Sequence, residues 1–407
     1  MTTGDEVATS RVAYAAKQLK GVTITLNKAD FDPQKFAAQL ASGDVPDVVQ
    51  MDRSDVAEYA AKGLIYPLDQ CYSANNVKPD SHYYPAVIDS MKYQGKIYGI
   101  PQFWQTAALM LNMRVLDKAG VKASDFDTSD PSKVLAAVKK LTKFDSSGNP
   151  TLMGLDPNMP GNASSWFLVF GGKIMDANGK PTLNDANNIK ALTWLKKLYN
   201  EEGGYDKAKS FSNTFDYFGN DNQFAKDQVA AEFNQQWYPN VLTGNTAGVD
   251  ISGIALKNPQ DQSIGIADGA ALVIPKGAKN PSAACKWALD LTSDGAWITA
   301  TKARLKTVAS TPGSIFTGLF TGSSTADKII NDQYMKPSGN AGFDQVIAAY
   351  NDSLKHGVNL GSSPAGLDIN TELQNAIVPA LEGSKTVKEA LDDAQAAAML
   401  AYKQDTK

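Results

Sequence analysis

Histidine and cysteine are nearly absent from this chain, with 2 of each among 407 residues. His82 and His356 leave almost nothing from which to build a histidine general base or a multi-histidine metal site. Cys71 and Cys285 permit at most one disulfide, and nothing in the sequence places them close together. Two small, half-buried side chains is the expectation. Excess positive charge is missing too: the formal net charge is −4 and the pI is near 5.4. A nucleic-acid surface needs a concentrated positive field, so no nucleic-acid partner is expected. No stretch approaches the ~20 apolar residues that span a bilayer. The start, "MTTGDEVATSRVAYAAKQLKG", has no apolar signal core. The chain therefore reads as soluble, either cytoplasmic or with a targeting segment removed. Cys-x-x-Cys, His-Glu-x-x-His, Gly-x-Ser-x-Gly, phosphate-loop and Gly-x-Gly-x-x-Gly patterns do not occur.

What is present is an ordinary globular composition, 43% apolar and 20% charged, in a chain too long for one compact core. Two domains are expected. Short β-branched runs alternate with helical patterns, which favours α/β layers. "VTITL" (22–26) and "PDVVQM" (46–51) read as strands. Between them, "DPQKFAAQLASG" (32–43) reads as a helix that Asp32 caps, Pro33 opens and Gly43 ends. "SDVAEYAAKG" (54–63) follows as a helix capped at Ser54. This rhythm suggests a mostly parallel sheet. A first helix near Ala8–Leu19 precedes it, although a domain of this kind should open on a strand. Further helices are expected at 130–141, 185–204, 280–294 (capped at its start) and 386–404, the last with a Thr386/Glu389 capping box. A late helix at 369–383 should bend or break at Pro379. Residues 228–237 and 267–275 read as strands, and 313–324 as a loop.

Four segments then stand in a telling order: "ASGDVPDVVQMDRSDVAEYAAKGLIYPLD" (41–69), "GKIYGIPQFWQTAALMLNMRVLDKAGV" (95–121), "DGAALVIPKGAKNPSAACKWALDLTS" (268–293) and "TVKEALDDAQ" (386–395). Together they resemble the extracytoplasmic solute-binding proteins of ABC sugar importers, the maltose-binding-protein-like family. The resemblance implies an α/β, two-lobe periplasmic-binding-protein fold of type II character, with ligand in the cleft between the lobes. It implies crossings near Ala107–Met113, Ile266–Leu272 and Leu305–Pro312. One lobe then comprises 1–109 with 268–308, the other 110–267 with 309–407. Relatives carry a strand ahead of "TTGDE" and a signal segment with a lipid-modified cysteine. The chain is thus expected to be shortened at its start and its protein extracytoplasmic, periplasmic or a cell-surface lipoprotein.

The function that the resemblance implies is high-affinity capture of a sugar, an oligosaccharide above all, and delivery to ABC importer permease subunits. No catalytic residue, metal or cofactor is expected, and a monomer is. A sugar ring has an apolar face for an indole and a hydroxyl rim for amides and carboxylates. Trp104 between Gln102 and Gln105 has this texture, and so has Trp237 beside Asn234 and Gln236. Asp52 and Arg53 end a strand where relatives place charged ligands. Asp55 reads as a complement to the helix dipole. Asp156, Asn158 and Trp166 are candidates in a loop of the second lobe, and Asp368 and Asn370 lie ahead of the late helix. The aromatic stretches "SHYYP" and "FDYFG" read as surface packing. Two other readings compete: a same-fold receptor for a non-sugar solute, and a glycoside hydrolase with two carboxylates across one sugar bond.

Overall fold

A computed structural model describes residues 4–266 and 268–406. Local capping chemistry sets the start of most of the longer helices, although Asn280 makes no side-chain cap bond to Pro281–Leu291. Asp5 accepts from the Ala8 N–H to open Glu6–Gln18. Asp32 caps Pro33–Ser42, which stops at Gly43 with a left-handed φ of 76°. Asp130 and Asp185 open Pro131–Leu141 and Ala186–Glu201. Thr386 and Glu389 form the capping box of Val387–Asp405. Each side-chain oxygen satisfies a backbone N–H that the helix itself leaves unpaired.

The strands assemble differently from the expectation. The order Val49–Asp52, Asp268–Val273, Ile100–Gln105 makes one three-stranded sheet, antiparallel throughout. A second, also antiparallel, has Ala107–Asn112 between Ala231–Gln235 and Ile251–Ile254. The strands 49–52 and 100–105 are not neighbours, because the late segment 268–273 enters between them, antiparallel to both. Val22–Leu26 joins no ladder among the described residues. Its Ile24 and Leu26 rest on a core. The helix expected at 54–63 begins with a tight 3₁₀ turn, Arg53–Asp55, before Val56–Ala61. Ser54 does not cap it; its hydroxyl donates to Asp55 Oδ1 at 3.1 Å. The late helix runs from Gly366 to Glu382 straight through Pro379. Pro379 sits in the last turn, so its missing N–H removes only one bond near the end.

Two large hydrophobic cores result. One gathers residues between Ala15 and Ile100 with 271–291. The other gathers residues between Ala108 and Ile264 with the late helices. The chain passes from the first sheet to the second at Thr106, the single residue between Gln105 and Ala107. A third, smaller cluster joins Val7, Trp297 and Ala300 to Leu319, Ala326 and Ile330. Leu305–Ser310 remains helical. Beyond it, Phe320 and Thr321 accept backbone bonds from Trp104 and Phe103.

Contrary to the expectation of two separate thiols, Cys71 and Cys285 are joined in a disulfide. They are 214 residues apart in sequence, and only the packing of Pro281–Leu291 on Asp69–Ala74 brings them together.

Candidate ligand-binding cleft

Where the two cores meet at Thr106 lies a cavity of about 420 Å³, within the ~300–1,000 Å³ range of small-molecule sites. Asp52, Ser54, Asp55, Gln105 and Asp268 line it from the side of the first core. Gly161, Asn162, Ser164, Ser165, Gln235, Asn370, Thr371 and Gln374 line it from the other. The wall is therefore hydroxyls, amides and carboxylates, with Leu168, Phe233, Ile264, Ile266, Leu360 and Leu367 as its apolar part. Thr106 also borders this space, and its hydroxyl is buried without a protein partner.

Three carboxyls crowd the first-core wall. Burial, and then the neighbouring Asp52, push the Asp55 carboxyl up to about 7. Burial also raises Asp268, against the pull of Arg53. Arg53 itself does not open into the cavity. Its guanidinium donates to the backbone carbonyls of Phe103 and Asp268, tying two strands to the turn after the first. Gly269, at φ +139°, makes this possible, because a Cβ there would stand 2.6 Å from Phe103 O and 2.7 Å from the guanidinium.

The structure thus sorts the residues singled out in the sequence. Asp52, Gln105 and Asn370 line the cavity. Trp237 lies next to it: its indole N–H donates to Gln235 Oε1 at 2.6 Å, and Gln235 is in the wall. Asp156 and Asn158 shape a neighbouring loop. Asp156 Oδ1 accepts from the Asn158 N–H, and the Asn158 carbonyl accepts from the side chain of Asn162, a wall residue. Asn234 is buried and accepts from the Tyr217 hydroxyl at 2.6 Å, while the buried Gln236 carbonyl oxygen has no protein partner.

Four candidates are held elsewhere. Gln102 is buried between Arg11 and Gln50, bonding to both. Trp166 is fully buried, its N–H on Pro157 O and its ring stacked on Trp194 at 5.5 Å. Trp104 is buried edge-on to Tyr84, beneath Gly357, where a Cβ would come within 2.0 Å of the indole. These rings serve packing, because neither presents a face to the cleft. Asp368 clusters with Glu58 and Asp405, but the Lys62 ammonium already pairs with Glu58 and Asp405 there.

This geometry, two cores joined by crossing strands over a polar cavity, has clear relatives. Residues 11–315 match the model of the bacterial extracellular solute-binding protein family. The chain belongs to that family. A curated relative of this solute-binding protein, the arabinooligosaccharide-binding protein of Bacillus subtilis, is 26% identical over 279 residues. The match covers 66% of this chain and 60% of that relative, so the chain spans less than two thirds of the relative's length. Among solved structures, CpMnBP1 with mannotriose bound is 22% identical, covers 98% of both chains and gives a TM-score of 0.77. An ABC substrate-binding protein of Listeria monocytogenes in complex with cycloalternan is 19% identical, covers 98% of this chain and 96% of its own, and gives a TM-score of 0.75. These likenesses establish the two-lobe fold.

Sequence reasoning missed Thr106, Asn162, Ser165, Gln235, Thr371 and Gln374 as wall residues. Small polar side chains carry no motif.

Proposed function

We propose that this solute-binding protein captures an oligosaccharide in the cleft between its lobes and delivers it to the permease of an ABC importer. The observation that carries this reading is the cavity wall, in which hydroxyls, amides and carboxylates from both cores surround one space flanked by Trp237. Such a wall pairs with a sugar's hydroxyl rim, and an indole with its apolar face. The Bacillus subtilis and CpMnBP1 relatives, whose ligands are oligosaccharides, support it. We assign Asp52, Gln105, Thr106, Asn162, Gln235 and Asn370 to direct contact. Trp237 is the stacking residue, with Asp156, Asn158, Asn234 and Gln236 holding its surroundings.

In this reading one lobe comprises 1–109 with 268–308 and the other 110–267 with 309–407. The packing of Leu319, Ala326 and Ile330 on Val7 and Trp297 argues for moving the third passage toward 335–341. Ligand bridges both lobes only in the closed form, so it shifts the population toward closure, and the permease reads that shape. The protein acts as a monomeric receptor without a catalytic step, outside the cytoplasmic membrane and held there by a lipid anchor or in the periplasm.

Isothermal titration against arabino-, manno-, xylo- and malto-oligosaccharides of graded length tests this. Micromolar or tighter binding to one series is expected. Silence across the panel from protein that melts cooperatively overturns the sugar reading. The appearance of new reducing ends during the titration overturns the receptor reading in favour of a hydrolase.

A further inference from the structure

Phe218 is the most exposed large apolar side chain among the described residues, 73% accessible. It does not wave freely. The Gly219 N–H closes a turn onto Asp216 O at 3.0 Å, and the Phe218 ring lies nearly parallel to Trp237, 13° between planes and 6.1 Å between centroids. Tyr217 meets both rings edge-on, and its hydroxyl bond to Asn234 anchors the group to the strand Ala231–Gln235. Trp237 in turn bonds Gln235 in the cavity wall. An aromatic step therefore leads from Gln235 in the cavity wall, over Trp237, to Phe218 at the surface. Alongside it, Asn240 donates to the Trp237 carbonyl and accepts from Arg304, which also pairs with Glu6. Polar groups from the helices Glu6–Gln18 and Asp294–Ser310 thus run beside the aromatic step.

A large exposed ring held rigid beside a binding cleft loses apolar contact with nothing gained in the free protein. We propose that Phe218 is an outer sugar subsite: it stacks on a ring of an oligosaccharide beyond the portion enclosed in the cavity, and so favours longer chains. This rests on the oligosaccharide reading and adds to it the end at which the chain leaves the protein.

The test is titration of wild type, Phe218→Ala and Phe218→Tyr with arabino-, manno-, xylo- and malto-oligosaccharides of two to six units. In the series that wild type binds, the dissociation constant should improve about five- to tenfold at the added unit that reaches the ring. Phe218→Ala should lose that step, and Phe218→Tyr should keep it. Being at the surface, both variants should melt as wild type does. The same length dependence in Phe218→Ala overturns the subsite while leaving the sugar reading intact. Tighter binding by Phe218→Ala also overturns it, since the ring would then be covering the Trp237 face that ligand needs. If wild type binds none of the four series, the subsite falls together with the oligosaccharide reading.

Discussion

Trp237 and Trp166 are the same side chain with opposite surroundings. Trp237 is half-buried, with its N–H spent on a wall residue; Trp166 is enclosed between Trp194 and Phe233. Trp237→Ala should weaken oligosaccharide binding by about 1–3 kcal/mol and leave the melting temperature nearly unchanged. Trp166→Ala should instead cost about 3–5 kcal/mol of stability. Titration and urea melts of the two variants, side by side, separate the roles. Asp55 makes a residue-scale prediction in pH. Its folded value near 7 stands above the ordinary ~3.9, so the folded protein holds a proton that the unfolded chain has lost between these values. Stability should therefore fall as pH rises from about 4 to 7 and level off above. Asp55→Asn should remove this slope, gaining about 1–3 kcal/mol at pH 8 and nothing at pH 4. An equally steep loss in the variant, followed by urea unfolding at both pH values, would show that Asp55 is not its source.

At the scale of elements, the late helix Gly366–Glu382 carries Asn370, Thr371 and Gln374 into the cavity wall. Its start is held from the opposite core. Glu58 Oε2 accepts from the Leu367 N–H at 2.8 Å, and Lys62 bridges Glu58 to Asp405. Gly366 allows the approach, since a Cβ there would lie 2.8 Å from Ser54 O. Glu58→Ala should leave a helix N–H unpaired at about 1–3 kcal/mol. It should also enlarge the radius of gyration of the ligand-free protein in small-angle scattering. An unchanged radius would mean that this contact does not hold the two cores together. The acids here have an ammonium among them already, so excess Ca²⁺ or Zn²⁺ should not raise the melting temperature.

At the scale of the molecule, one covalent tie closes a very long loop. The disulfide joins residues 214 apart and anchors Pro281–Leu291 to Asp69–Ala74 within the first core. Its removal by a Cys71→Ser, Cys285→Ser double variant should cost about 2–5 kcal/mol, measured as a lower midpoint in urea. Persistence of such a bond suits the oxidising compartments in which an extracellular family works. Whether ligand draws the cores together is a question for scattering with and without sugar: saturating ligand should reduce the radius of gyration.

Several helix starts were legible from local chemistry, although not the one at Ser54. Asp32, Asp130, Asp185 and Thr386 cap where the sequence places helix starts, because a cap needs only a side chain and a backbone N–H two or three residues on. Family-level order was legible too, because the four segments that resemble solute-binding proteins carry it in their own letters. Strand partnership was not. Nothing local in 22–26 says that no strand lies beside it, and nothing in 268–273 says that it will enter between 49–52 and 100–105. Nor could the pairing of Cys71 with Cys285 be read, or the division of the tryptophans into Trp166 and Trp104 inside and Trp237 at the cleft. Those outcomes depend on which surfaces meet after residues hundreds of positions apart are packed together, and burial, unlike capping, has no short-range signature.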